Sequence, residues 1–268
     1  MRVHKRMEHW LRHALLYDAY IVSYPKCGRT WLNSILLHYV RRHYDGITEP
    51  LTFKWAPPMV RYTWYRRFPN VCFTHGISTH AIPFQDLVER FDPAKYTVKR
   101  SILLVRDPRD VVVSYYHHAM KKTEKNQLSP DLSLSGFLRH EAYGIRSVVT
   151  FYNLWEPVIG KHANVSWCKY EDLKADTTGT VTRLLRFFNA PPVDQKALEW
   201  AVEVNSFQNL QSREKRLRLS RHKEVNTDKL RVRKGKTGGY QDEMQTLDIS
   251  YANHVLASRL APLYGYHG

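Results

Sequence analysis

The feature that most constrains the fold is a strand, a tight loop and a helix within residues 20–32. Its first five residues are mostly β-branched or aromatic, which predicts a short buried strand. Pro25 and Gly28 interrupt that run, and from Thr30 onward the apolar residues follow helical spacing. A loop that enters a helix leaves backbone N–H groups unpaired, and such groups suit a phosphate. Lys26 adds a positive charge and Thr30 a hydroxyl, so we predict a phosphate-binding loop here.

The rest of the chain alternates between predicted strands and predicted helices. Further strands are expected at 70–75, 99–106 and 165–170, and the near-continuously apolar run at 99–106 is typical of a central parallel strand. Helices are expected from residue 30, near 83–90, and at 109–122, 133–142, 145–160, 177–189, 194–204 and 249–263, with a polar loop at 123–131. The alternation predicts an α/β fold with a central parallel sheet flanked by helices, in a single domain over residues 1–268.

A second anion-binding element follows the strand at 99–106. Arg106 stands at the carboxyl edge of a predicted parallel strand, where such sheets bind ligands. A guanidinium holds a phosphate through two parallel hydrogen bonds, and Ser114, about two turns into the next helix, is in reach of the same group. The alternative is an Arg–Asp ion pair within Arg106-Asp107-Pro108-Arg109-Asp110 that pins the loop.

The charge balance favours anionic partners. The chain has 41 Lys and Arg against 25 Asp and Glu, a formal net charge of +16. Half of that excess lies within residues 213–236, which we expect to form an internal loop or lid over an anionic ligand. Charge alone does not choose among nucleotides, acidic glycans, nucleic acid and a membrane surface.

The cysteines and the apolar runs indicate the compartment. Cys27, Cys72 and Cys168 are odd in number and widely spaced, which predicts free thiols in a reducing cytoplasm. No apolar run approaches the length of a membrane span, so stable membrane insertion is not expected. Residues 1–19 are predicted to be a basic amphipathic lead-in that packs on the domain.

Three motifs, in order along the chain, resemble those of sulfotransferases that use 3′-phosphoadenosine 5′-phosphosulfate (PAPS). Residues 25–31, PKCGRTW, are similar to that family's 5′-phosphosulfate loop, whose pattern is close to PKSGTTW; Cys27 and Arg29 depart from it. Residues 106–114, RDPRDVVVS, resemble its 3′-phosphate motif, and residues 233–240, RKGKTGGY, resemble its late RKGxxGDW element. The chain is therefore identified as a member of this family.

The resemblance implies a cosubstrate and a set of site residues. PAPS would donate the sulfuryl group and leave as adenosine 3′,5′-bisphosphate (PAP), without a metal. His75, in Phe73-Thr74-His75, matches the family's general base, with Phe73 in place of the usual lysine. Lys26 would stabilise charge on the bridging oxygen. The residues implied in nucleotide binding are Lys26, Cys27, Gly28, Arg29, Thr30, Trp31, Arg106, Ser114, Tyr170, Phe207, Arg233, Lys234 and Gly235. The last four belong to a basic segment at 206–240 that is expected to cover the cofactor.

Several alternatives stay open at this stage. His80 is a rival base, and Tyr170 is also explained as a core aromatic residue. A P-loop phosphotransferase would have GK[ST] at its loop, and a nucleic-acid-binding protein would explain the charge but not the three motifs. The expected partners are the nucleotide and an acceptor, not nucleic acid. The aromatic stretch at 50–69 favours a small-molecule acceptor, although it could instead pack on the core, and the oligomeric state is open.

Overall fold

The computed structural model describes residues 16–50, 68–76, 83–219 and 235–266. Four parallel strands form one sheet in the order β2-β1-β3-β4. The strands are β1 (Ala19–Ser23), β2 (Val71–Thr74), β3 (Arg100–Val105) and β4 (Val165–Lys169). Ala19 pairs in register with Val71 on one side and with Arg100 on the other. The predicted parallel sheet is therefore confirmed, with each strand ending within a residue or two of its expected bounds.

Helices cover the sheet and surround the core. They are α1 (Arg29–Asp45), α2 (Phe84–Arg90), α3 (Pro108–Ala119), α4 (Thr123–Asn126), α5 (Leu134–Arg139), α6 (Ile145–Asn153), α7 (Tyr170–Ala175), α8 (Thr177–Phe187), α9 (Gln195–Val204), α10 (Phe207–Leu219) and α11 (Thr246–Arg259). α1 packs against α9, and α3 and α11 both pack against α6. Every residue of β1 is buried, as is every residue of β3 except its first, so the two central strands form the middle of the core.

Some predicted boundaries were wrong. The segment expected to be a loop or lid at 213–236 begins as helix, because α10 runs to Leu219, with Leu210 and Glu214 buried. The helix expected over 145–160 ends at Asn153, shortly before Pro157, whose ring disfavours helix in the residue that precedes it.

Two short helices were missed, and one predicted helix is displaced. The polar loop expected at 123–131 contains α4, and α7 follows β4 directly. The last helix, expected over 249–263, spans Thr246–Arg259.

The strand order determines where ligands can bind. From β1 the chain crosses to β2 on one side and then to β3 on the other, so the loops after β1 and β3 diverge at neighbouring carboxyl ends. Such a switch point opens a crevice at the carboxyl edge of a parallel sheet. Lys26 and Gly28 follow β1, Arg106 follows β3 and His75 follows β2, so all lie at that edge.

Candidate functional site

The loop between β1 and α1 has an unusual backbone. Lys26 has φ 76°, a left-handed value that few side chains adopt, and Gly28 has φ 91°. A Cβ atom on Gly28 would lie 2.5 Å from the ring of Tyr170, so only glycine fits there. Gly28 precedes α1 directly, and no side chain caps the helix. Trp31 N–H already donates to the Gly28 carbonyl oxygen (2.9 Å), so the amides that the helix leaves for a phosphate are those of Arg29 and Thr30.

Arg106 lies where three segments meet. Its guanidinium donates to the carbonyl oxygen of Lys26 (3.4 Å) and to that of Lys236 (3.0 Å), and it pairs with Asp110 (3.3 Å). It also stacks over the Tyr170 ring, 4.5 Å from the centroid. Within the described residues its buried Nε atom has no hydrogen-bond partner. A buried donor in this state indicates a missing acceptor.

Asp110 holds the turn at residues 236–240 against α3. Its Oδ2 atom accepts from the backbone N–H of Gly238 (2.9 Å) and its Oδ1 atom from that of Tyr240 (3.0 Å). The Asp110 side chain is only 2% exposed. The ion pair proposed as an alternative for Arg106 therefore exists, and its carboxylate also fixes the late motif. Tyr240 is buried, with the Arg109 guanidinium 4.5 Å from its ring centroid.

Tyr152 joins the first loop to the end of β3. Its hydroxyl donates to the carbonyl oxygen of Arg106 (2.9 Å) and accepts from the N–H of the same residue (2.9 Å). The Cys27 Sγ atom lies 3.3 Å from that hydroxyl. Burial raises the pKa of the Cys27 thiol to about 12, so Cys27 is protonated at neutral pH and its S–H can donate.

Trp31 and Phe207 both lie at the turn between α9 and α10. The Trp31 indole N–H donates to the carbonyl oxygen of Asn205 (2.9 Å), and the Asn205 side chain accepts from Ser34 Oγ (2.6 Å). Phe207 begins α10, and its ring lies where a Cβ atom on Gly235 would be, so Gly235 (φ 57°) approaches it closely. Asn205 thus ties the start of α10 to α1.

His75 lies at the end of β2 and faces the end of β1. Its Nδ1 atom is 2.8 Å from the carbonyl oxygen of Ser23. A carbonyl oxygen only accepts, so Nδ1 carries the proton of the neutral ring and Nε2 keeps the lone pair. This is the tautomer in which Nε2 can take a proton from a substrate.

The remaining predicted site residues have varied positions. Ser114 is half-buried on α3, Thr30 is exposed in the first turn of α1, and Tyr170 is buried against the loop. Burial raises the pKa of the Tyr170 hydroxyl, with Arg106 opposing the shift. Arg233, Lys234, the rival base His80 and most of the stretch at 50–69 lie outside the described residues.

Three residues of the site, Asn205, Tyr152 and Lys174, had no predicted role, and Asp110 entered only through the alternative of an Arg–Asp ion pair. Asp110 lies inside a motif, where the expectation went to Arg106, and Asn205 directly precedes Ser206-Phe207. Tyr152 gave no signal beyond an apolar helical pattern. Lys174, whose ammonium group donates to the Gly235 carbonyl oxygen, follows Tyr170 by about one helical turn.

Two negative findings concern metals and membranes. Among residues 16–50, 68–76, 83–219 and 235–266, no three His, Cys, Asp or Glu side chains cluster as metal ligands would. In the same part of the chain no helix is both long and apolar enough to cross a membrane.

Comparison with known proteins gives consistent matches along the sequence. A family model described as Sulfotransferase domain matches residues 16–262. Human Sulfotransferase 2B1 is 29% identical over 197 residues, which cover 71% of this chain and 51% of that protein. Zebrafish (Danio rerio) Sulfotransferase 6B1 is 26% identical, covering 91% and 78%, and Flavonol 4′-sulfotransferase of Flaveria chlorifolia is 27% identical, covering 74% and 64%. The chain thus spans about half the length of the human relative.

Solved structures with the same fold are also found. Mouse sulfotransferase SULT7A1 in complex with PAP superposes with a TM-score of 0.59 at 18% identity, over 91% of this chain and 84% of that one. Retinol dehydratase in complex with androsterone and the inactive cofactor PAP gives a TM-score of 0.54 at 18% identity, over 93% and 84%. At this level of identity the likeness establishes the fold.

Proposed function

The chain belongs to the sulfotransferase family, and on that premise we propose that it transfers the sulfuryl group of PAPS to a hydroxyl or amine of an acceptor. The observation that carries the proposal is the meeting of three segments at Arg106. The loop after β1, the end of β3 and the turn at 236–240 contact one guanidinium at the switch point of the sheet. Its buried Nε atom, without a partner among the described residues, fits an incoming oxyanion.

The two ends of the nucleotide are assigned to separate groups. Arg106 and Ser114 would hold the 3′-phosphate, with Arg233, Lys234 and Gly235 covering it from the late motif. Residues 26–31 would hold the 5′-phosphosulfate through backbone N–H groups, the Lys26 ammonium and the Thr30 hydroxyl. PAP in two structural neighbours of the same fold supports this nucleotide.

Aromatic groups would enclose the adenine and complete the cradle. Trp31 and Phe207 are the proposed walls, because both are held at the α9–α10 turn that Asn205 ties to α1. Tyr170, whose ring packs against Gly28 and under the Arg106 guanidinium, would also contact the nucleotide.

His75 is the proposed general base. With Nδ1 bound to the Ser23 carbonyl oxygen, Nε2 would take the proton from the acceptor as that acceptor attacks sulfur in line. Lys26 would stabilise the negative charge that develops on the bridging oxygen of the leaving PAP. A preorganised donor in such a position contributes about 3–4 kcal/mol to transition-state stabilisation.

We propose an apolar or aromatic small molecule as the acceptor. The aromatic composition of residues 50–69 supports it, and so does the flavonol named for one relative. A screen with radiolabelled PAPS against phenols, alcohols, amines and glycans tests this directly. Transfer to glycans alone would contradict the acceptor class.

Nucleotide binding is tested separately by thermal unfolding. PAP at 100 times its Kd should add about 2.7 kcal/mol to the free energy of unfolding, and ATP with Mg²⁺ should add much less. Equal stabilisation by both nucleotides, together with no sulfuryl transfer to any acceptor, would overturn the proposed function.

A further inference from the structure

Arg29 is the residue of the first loop that departs most in chemistry from the PKSGTTW pattern. It is the first residue of α1 and directly follows Gly28. Its side chain crosses to the neighbouring strand, where Nη1 donates to the carbonyl oxygen of Phe73 at 3.0 Å. The guanidinium therefore lies at the carboxyl end of β2, two residues before His75.

A second departure lies at the place that Arg29 reaches. Phe73 stands where the resembling motif has a lysine, so the end of β2 lacks its own cation. The contact between Arg29 and Phe73 brings a positive charge to that strand end from a different segment. The hydrogen bond to the Phe73 backbone thus places the Arg29 cation at the strand end where the resembling motif has a lysine, 44 residues away along the chain.

Among the described residues, no carboxylate neutralises the charge on Arg29. Burial lowers its pKa, and the titratable groups that act on it are the Cys72 and Cys27 thiols. Burial raises the pKa of each thiol to about 12, so both are neutral at pH 7. A partly buried cation without a counter-charge is unfavourable unless an anion joins it.

The groups around Arg29 indicate which anion would pair with it. Arg29 comes from the loop proposed to bind the 5′-phosphosulfate and ends beside the strand that carries the proposed base. We infer that Arg29 binds the oxygens of the sulfuryl group during transfer, on the side of His75; this inference rests on the proposed function. It is thus a second catalytic cation, in addition to Lys26.

The transfer step balances without any further reactant. The acceptor oxygen or nitrogen forms a bond to sulfur and gives its proton to His75 Nε2. The bond between sulfur and the bridging oxygen breaks, and PAP leaves with that electron pair. Arg29 stays protonated throughout and stabilises the sulfuryl oxygens electrostatically.

PAP and PAPS differ only by the sulfuryl group, which makes a direct test possible. Arg29→Gln removes the charge and keeps an N–H donor for the Phe73 carbonyl oxygen, whereas Arg29→Lys keeps the charge. We expect Arg29→Gln to bind PAP within about twofold of wild type, to bind PAPS about tenfold more weakly and to turn over about 100-fold more slowly. Arg29→Lys should recover part of both losses. Arg186→Gln, at an exposed site in the last turn of α8, is the matched control and should change nothing.

Two outcomes would overturn the inference. Equal weakening of PAP and PAPS by Arg29→Gln would assign Arg29 to the 5′-phosphate or to the support of β2. If Arg29→Gln kept wild-type affinity for both nucleotides and wild-type turnover, Arg29 would have no role in the reaction. In both cases the wild-type enzyme still transfers sulfuryl groups, so failure of this inference is distinguishable from failure of the proposed function.

Discussion

Replacing Tyr152 by phenylalanine removes one oxygen atom from the junction between the two proposed phosphate-binding elements. The ring is fully buried, so water does not take the place of the hydroxyl. The N–H and C=O groups of Arg106 both lose their partner, as does the thiol of Cys27. The ring itself is retained, so the substitution opens no cavity in the core.

The expected cost follows from those lost partners. A buried polar group left unsatisfied costs about 1–3 kcal/mol, so two backbone groups give a loss of roughly 2–6 kcal/mol. For a domain of this size, 1 kcal/mol corresponds to about 2–4 °C, so Tm should fall by roughly 10 °C. Urea unfolding should give the same loss in free energy with an unchanged m value.

Binding should weaken as well as stability. The Tyr152 hydroxyl fixes the spacing between Cys27 in the first loop and the backbone of Arg106, so PAP should bind at least about fivefold more weakly by calorimetry. Tyr143→Phe is the matched control, because its buried hydroxyl donates to the Asn126 carbonyl oxygen, away from both elements. That variant leaves one carbonyl oxygen without its partner, so it should lose about 1–3 kcal/mol and keep its PAP affinity. A Tyr152→Phe protein with wild-type Tm and wild-type PAP affinity would refute the reasoning.

Four further perturbations test other parts of the site and fold. His75→Asn should lower turnover by roughly 10²–10⁴ and leave PAP affinity within about twofold, and wild-type turnover would reject the base assignment. Arg106→Ala should bind PAP no better than adenosine 5′-monophosphate in calorimetry, whereas retained preference for PAP would leave Arg106 only its structural ion pair. Asp110→Asn replaces one acceptor oxygen with a donor, so PAP affinity should fall about tenfold; unchanged affinity would mean that the carboxylate does not hold the turn at 236–240. Burial lowers the pKa of His38 to about 4, below the unfolded value near 6.5. The contribution of neutral His38 to the free energy of unfolding is therefore complete above pH 6.5 and is lost as the pH falls towards 4. That loss is about 3 kcal/mol, and it should be absent from acid unfolding curves of His38→Gln.

The parts of this molecule that were predictable are those encoded locally. β1 and β3 are short apolar runs that end at a glycine-containing loop or a charged motif, and periodicity is enough to find them. α10 was not predicted as a helix because the run of Lys and Arg residues that starts within it dominated the pattern of the segment. Propensity also does not distinguish a basic loop from a basic helix that is stabilised by tertiary contacts.

The site shows the same division between local and distant information. The position of Arg106 was predictable because it follows from one strand end and one motif. The role of Asp110 depends on two amide groups at Gly238 and Tyr240, more than 120 residues away, and that of Tyr152 on a residue 46 positions earlier. Contacts between residues so far apart in sequence are determined by the folded topology. No motif spacing in a single sequence predicts them.

The order of the strands also has a consequence for synthesis. β1 leaves the ribosome first, yet both of its partners follow much later, ending at Thr74 and Val105. Until then β1 exposes apolar side chains and unpaired backbone N–H and C=O groups, on which nascent chains can aggregate. The Gly238–Tyr240 amides that close the site emerge later still. A ligand that requires the complete site therefore cannot assist the early stages of folding, and protection during that interval depends on fast pairing of the first three strands.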